Sequence, residues 1–408
     1  MEYRKMGRPG LVAASVVVTA LALAACSDAP GDDGGTGAPG EGVTLRVGVI
    51  EANNSTFGLV SEGARVAGEI APELIQIPGV TVETVPIPTD GTPENVVQSV
   101  QRAVQQEGIT AVTGFLTSGA SAALSAQADQ LGVVQFDAIS RNPALTGADC
   151  RANYFRVSLN SDQLNLATIA AAKSGQAESW DAYAWDTENG HSAIDSFTQA
   201  LGGSGSMDTV VFPPAGITDF APYISTLAEN PADALLLVTG GTDAVNFATQ
   251  ANQFGLFDDY DFVVGSGVLI PQAIDANGDA LVGIQEVYDW VPDNGAPGAE
   301  AFTEKYESST DTTPAWYTPA DIFIAIEMAA NAAAKAGSAE PEALIEAAAG
   351  STFDTIGGSI ELRAGDHQGL RDGFLVEVVD DGGQATLQTI STIPAADITP
   401  PVSPACSL

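Results

Sequence analysis

Basic side chains are scarce in this sequence. Lysine and arginine together number 14, against 52 aspartates and glutamates, giving a formal charge of −38 over 408 residues. A surface of that sign repels phosphate backbones and anionic lipid surfaces, so nucleic acid is not expected as a partner. Histidine is scarcer still, with only His191 and His367. Neither belongs to a His-Glu-x-x-His pair or a Cys/His cluster, so no metal and no cofactor is expected. The Gly-x-x-x-x-Gly-Lys-Ser/Thr phosphate loop does not occur. After the N-terminal segment, no uncharged apolar run reaches the roughly 18 residues of a membrane span. What the chain has is apolar residues, 45% of the total. That composition suits a folded chain, and the length suits about two or three domains.

The N-terminus carries Arg4, Lys5 and Arg8, followed by the apolar run Leu11–Ala25. This run is short for a membrane helix, which needs about 20 residues, and suits a secretory signal. It ends in Leu23-Ala24-Ala25-Cys26, which resembles the lipobox of bacterial lipoproteins. The resemblance implies removal of residues 1–25 and lipidation of Cys26. Residues 26–42, rich in Gly, Pro and Asp, read as a flexible tether. The mature protein is then extracytoplasmic and held to the membrane by lipid. Of three cysteines, Cys150 and Cys406 remain. An oxidising compartment favours a disulfide between them; two free thiols are the alternative.

From Val43 the sequence alternates. Leu45–Ile50, Val80–Ile87, Thr110–Leu116 and Gly132–Phe136 read as strands, with helices over Leu59–Ala71, Pro93–Gln106 and Ala120–Leu131. Short apolar strands separated by helices of about 12 residues imply a parallel sheet covered on both faces. The order restarts with a helix from Gln163 and strands at Trp180–Trp185, Thr209–Phe212, Asp233–Val238 and Phe262–Val264. The expected fold is therefore α/β, with two doubly wound lobes. Beyond Trp290 lies the helical stretch Tyr317–Lys335, and short strands return from Ile360. If that helix packs back on the first lobe, several chain segments connect the lobes.

Ligands of open parallel sheets gather beyond the carboxyl ends of the strands. Here those ends are small or polar: Glu51 to Thr56, Thr117-Ser118-Gly119, Asp137 to Pro143, Asp186 to Gly190, Thr239 to Asp243, and Gly265-Ser266-Gly267. Hydroxyls and backbone N–H groups at helix N-termini suit a carboxylate, and Arg141 could add a bidentate fork. Arg141 could equally pair with Asp137 or Asp149. Each turn could also be a helix cap, for which Ser and Thr are preferred in any case. Trp185, Tyr183, Tyr288 and Trp290 read as core residues or as an aromatic wall.

The order of these segments resembles type I periplasmic binding proteins of ABC importers, in the leucine/isoleucine/valine-binding branch. The pieces that carry the likeness are Leu45–Ile50, Thr113–Gly119, Asn142–Thr146, Tyr154–Val157 and Gly240-Gly241. It implies two lobes joined by a three-stranded crossover hinge, closing on a small solute for delivery to an ABC permease. The lobes are expected at 43–157 plus 290–357 and at 158–289 plus 358–395, with 396–408 a tail and the protein a monomer. The resemblance places the ligand-carboxylate serine at Ser118, beside Gly119. Ile139, Ser140 and Arg141 fall on the neighbouring loop, and Phe57 on the aromatic position after the first strand. On the opposite wall, Asn189 and Thr242 stand where amino-acid binders have tyrosines. Ser266 falls where they have the acid that holds an α-ammonium group. The carboxylate half is retained and the ammonium half is not.

Two other functions fit parts of the sequence. A sensing module would share the lobes and report to a receptor. A hydrolase could use Ser118, but its turn lacks Gly-x-Ser-x-Gly and no base is evident near it, so catalysis is not expected. His367 reads as part of a surface turn. If Cys26 is the anchor, Cys26→Ser moves the protein from the membrane fraction to the soluble one. Retention in membranes by the variant would refute the lipobox assignment.

Overall fold

The computed structural model describes residues 42–54, 56–171, 176–310 and 317–408. The segment 1–25 expected to be a signal, Cys26 and the expected tether up to residue 41 lie outside the described residues.

The first sheet is built from β1 (Val43–Ala52), β2 (Val80–Thr89), β3 (Ala111–Gly114), β4 (Val134–Asp137) and β5 (Tyr154–Arg156). Between them run α1 (Gly58–Leu74), α2 (Pro93–Glu107), α3 (Ser118–Ser125) and α4 (Ala128–Leu131). All neighbours are parallel, in the order β2-β1-β3-β4-β5. Local sequence explains both ends of α2. In α2, Thr92 caps the start through Asn95 N, Pro93 occupies the first turn, and Gly108 takes the left-handed conformation that ends it.

The second lobe contains α5 (Ser161–Ala171), β6 (Ser179–Ala184), α6 (Glu188–Leu201), β7 (Ser206–Val211), α7 (Ala221–Leu227), β8 (Ala234–Val238), α8 (Gly241–Phe254), β9 (Phe262–Ser266), α9 (Pro271–Leu281) and β10 (Gln285–Tyr288). The chain then passes through α10 (Ala299–Thr310), α11 (Tyr317–Ala336), α12 (Pro341–Ala348), β11 (Thr352–Thr355), β12 (Gly358–Leu362) and β13 (Gly369–Leu370). It ends with β14 (Gly373–Asp380), β15 (Ala385–Ile393) and α13 (Ala395–Ile398). The second sheet has the order β15-β14-β10-β9-β8-β6-β7. Its parallel part is extended by β14 and β15, which pair antiparallel. Central β8, Ala-Leu-Leu-Leu-Val, is buried at all five positions because a helix layer covers each face.

The expected α/β fold with two lobes and a three-stranded crossover is what the structure shows. Helix α11 packs against α1 and against β1, β3 and β4. It is apolar nearly all round because it is sandwiched there. Three segments cross between the lobes, at 157–160, 289–298 and 371–372. No helix among the described residues is long and apolar enough to cross a membrane.

Four details differ from the sequence reading. The helix expected over Ala120–Leu131 is two helices, α3 and α4. The short strands β10 and β11 were hidden because charged residues interrupt their pattern. His367 is not on a surface turn: it is buried and stacks on Phe155 with ring centroids 4.0 Å apart. Its turn folds inward because Gln368 forms a parallel bridge with Arg156. The antiparallel pairing of β11 with β12 also spans the 357/358 division.

Cys150 and Cys406 form a disulfide, with Cα atoms 5.5 Å apart. It joins the loop before β5 to the C-terminal tail, and Arg363 Nη1 holds the same tail by donating to Pro400 O. Closing so long a loop restricts the unfolded chain. Cys406→Ser is therefore expected to cost about 2–5 kcal/mol, read as a lower denaturation midpoint under non-reducing conditions. An unchanged midpoint would show that the bridge adds no stability.

Candidate functional site

A cavity of about 410 Å³ lies where the carboxyl ends of the two sheets face each other. Each sheet reverses its winding at one place, between β1 and β3 in the first and between β6 and β8 in the second. Loops diverge at such switch points and leave a crevice. Phe57, Phe115 and Ser118 follow β1 and β3; Trp185, Thr239 and Gly240 follow β6 and β8. Both crevices open into the same cavity.

Ser118 is the first residue of α3, but it is not the cap. Thr117 performs that role, accepting a hydrogen bond from Ala120 N. Ser118 is thereby freed from capping. Its Oγ lies 3.4 Å from both Ser140 Oγ and Arg141 N, so those contacts are long and weak. The adjoining loop is shaped by Asp137, which accepts from Ile139 N at 3.0 Å and Ser140 N at 2.9 Å.

Arg141 pairs with neither Asp137 nor Asp149. Its Nη1 donates to Asp289 Oδ2 at 2.6 Å and to Leu159 O. Its Cζ sits 4.6 Å from the ring centroid of Tyr317. Its Nη2 is buried and has no hydrogen-bond partner among the described residues. Burial opposes the guanidinium charge, but Asp289, Tyr317 and Asp321 outweigh burial and raise its pKa.

Arg371 completes the network by donating to Asp321 Oδ1 at 2.8 Å and Asp289 O at 2.7 Å. Burial and the neighbouring Asp289 charge push the Asp321 carboxyl well above the usual range. Burial works against ionised Asp289 too, yet Arg141, Asp321 and Arg371 together hold it below that range. Among the described residues, Arg141 is the one basic side chain that lines the cavity. Behind the opposite wall, burial raises buried Glu286 to about 7 although it accepts from Gly267, Val268 and Leu269 N–H groups.

A periplasmic binding protein family model matches residues 44–384. The chain belongs to that family. An ABC-transporter solute-binding protein from Rhodopseudomonas palustris BisB5, solved with 3,4-dihydroxybenzoic acid, is 18% identical with a TM-score of 0.79; the match covers 88% of this chain and 99% of that one. An amino acid ABC transporter substrate-binding protein from Pseudomonas fluorescens Pf-5 is 20% identical with a TM-score of 0.78, covering 90% and 99%. A leucine binding protein from Thermotoga maritima MSB8 is 21% identical with a TM-score of 0.76, covering 86% and 99%. At these identities the likeness establishes the type I periplasmic binding protein fold. A search of curated proteins found no match.

In this periplasmic binding protein, Phe57, Ser118, Gly119, Ile139, Arg141, Asn189 and Ser266 all line the cavity. Ser140 and Thr242 do not. Ser140 points behind Ser118, and Thr242 meets the other lobe at the mouth, where its N–H donates to Thr56 O at 3.1 Å. Of the four aromatic residues at strand ends, Trp185 alone reaches the wall; Tyr183, Tyr288 and Trp290 are core. Tyr317, Glu188 and Thr239 also line it. The strand-end rule points to Thr239 and Glu188, whereas Tyr317 reads in sequence as one more apolar position of a long helix.

Neither histidine serves Ser118. His191 contacts Asp186 at 2.8 Å on the surface, and His367 Nδ1 contacts Tyr154 O at 3.1 Å.

The two lobes touch across the mouth. Asn142 Nδ2 donates to Glu188 Oε1, and Phe57 meets Trp185 edge to face at 5.7 Å. Gly241 has φ +56° and lies so close to Thr56 that a Cβ would collide with its carbonyl oxygen. Gly241→Ala is therefore expected to hold the mouth open while leaving the fold intact. Small-angle scattering should give a larger radius of gyration than wild type, with unchanged circular dichroism. Equal radii would show that this contact does not govern closure.

Proposed function

We propose that the protein is an extracytoplasmic solute-binding protein, lipid-anchored through Cys26, monomeric, and serving an ABC permease. It closes its lobes on a small carboxylate-bearing solute, and the closed form is the one presented to the permease. In this reading the first lobe holds 43–157 plus 290–370 and the second 158–289 plus 373–395, since β11, β12 and β13 form one sheet that bridges to Arg156. The observation that carries the reading is the pairing of Ser118, released from capping by Thr117, with the unpartnered Nη2 of Arg141 in one cavity between the sheets. A carboxylate there gains charge-assisted hydrogen bonds from the guanidinium. Relatives named for amino acid transport, leucine and dihydroxybenzoic acid support the solute class.

The test is a thermal-shift panel of amino acids, amides and organic acids on ligand-stripped protein. A solute at 100 times its dissociation constant should add about 2.7 kcal/mol to stability. Ser118→Ala should weaken its binding by about 1–3 kcal/mol. A panel without any shift counts against solute binding, and unchanged affinity in the variant moves the carboxylate seat elsewhere.

A further inference from the structure

We infer that the solute is an aromatic carboxylate that also bears a hydroxyl group, an inference that rests on the cleft being a solute site. Three features of the wall converge on it. The first is the distribution of unmet hydrogen-bonding groups. On the first lobe, Arg141 Nη2 is a buried donor without a partner; on the second, Asn189 Oδ1 is a buried acceptor without one among the described residues. Leaving such groups unmet costs about 1–3 kcal/mol each. A carboxylate satisfies the donor. The acceptor needs an O–H or N–H, which a plain carboxylate or hydrocarbon does not supply.

The second feature is the aromatic lining of the same cavity. Phe57 stands at the centre of an aromatic group drawn from both lobes. Its ring centroid is 5.4 Å from that of Phe115 and 5.7 Å from that of Trp185. Tyr317 adds a fourth ring beneath the guanidinium. Offset and edge-to-face arrangements of this kind receive a flat ring with favourable quadrupole contacts.

The third is the state of the acids. An α-ammonium group is held best by a carboxylate buried in the cleft, whereas the two acids that line it, Asp90 and Glu188, are exposed. Asp90 accepts from Thr92 N at 2.8 Å and Thr92 Oγ1 at 2.6 Å on the rim. Glu188 is held by Asn142 and leans over Gly119 at the start of α3. Glu286 is occupied by three backbone N–H groups behind Gly267. Ser266, which is neutral, forms the wall in front.

Isothermal titration of the ligand-stripped protein with 4-hydroxybenzoate, benzoate and leucine tests this. 4-Hydroxybenzoate should bind about tenfold more tightly than benzoate, the worth of one buried hydrogen bond, and leucine should not bind. Asn189→Ala should erase the difference, lowering 4-hydroxybenzoate affinity about tenfold more than benzoate affinity. Arg141→Lys should weaken both. Leucine binding more tightly than either aromatic acid, or Asn189→Ala weakening both acids equally, would overturn the inference. Binding of some other panel solute, with neither aromatic acid bound, would overturn it while leaving the solute-binding reading in place. Silence across the whole panel would remove both.

Discussion

Everything in this molecule that has to move or bind meets at Asp289. This fully buried carboxylate follows β10 on the second crossover. It accepts from Arg141 on the loop after β4 and from Leu159 N on the first crossover. Its backbone oxygen accepts from Arg371 on the third crossover, and Arg371 also donates to Val157 O on the first. One acid and one base therefore stitch together all three strands on which the lobes pivot. Truncating one partner of a buried pair leaves an unmatched charge and costs about 3–5 kcal/mol. Such a joint resists sliding of the crossovers past one another, so relative motion of the lobes is confined to bending of these segments.

The same joint sets the polarity of the cleft. Arg141 is fixed at Nη1, by Asp289 and Leu159, and rests on Tyr317. Only the other nitrogen is left over. Its position is decided before any solute arrives, so little side-chain entropy remains to be lost on binding. Ser118 is prepared in the same sense, because Thr117 caps the helix and Asp137 fixes the neighbouring loop. The first lobe thus presents a rigid polar seat. The second contributes Trp185, Asn189 and Gly240. Gly241 lets it come close enough to touch Thr56.

The alternation of strands and helices was legible because the central strands of both sheets bury short apolar runs, and the two-lobed plan followed from the restart after Gln163. The carboxyl-end rule found most of the cavity wall, since it depends on strand direction alone. The partners of Arg141 were not legible. Asp289 is 148 residues away in sequence, and local reading favoured the nearer Asp137, whose carboxylate is engaged by backbone groups of its own loop. Tyr317 was missed for a related reason: only the start of α11 reaches the cleft, and the helix pattern around it reports burial in the first lobe. His367 was misplaced because polar neighbours suggest a surface turn, while the Gln368 bridge to Arg156 carries that turn inward.

The surface charge bears on how an anionic solute could be received at all. A chain with a formal charge of −38 repels an anion at long range. At physiological ionic strength, however, that field decays over about 8 Å. Inside the cleft screening is weaker, and the nearest charge is the guanidinium of Arg141. The repulsion therefore slows approach without setting the affinity, which is decided at contact. A single buried positive charge beside neutral hydrogen-bonding groups also discriminates among anions. It satisfies one carboxylate, and a dianion would leave its second charge near Asp90 and Glu188, where only like charges meet it.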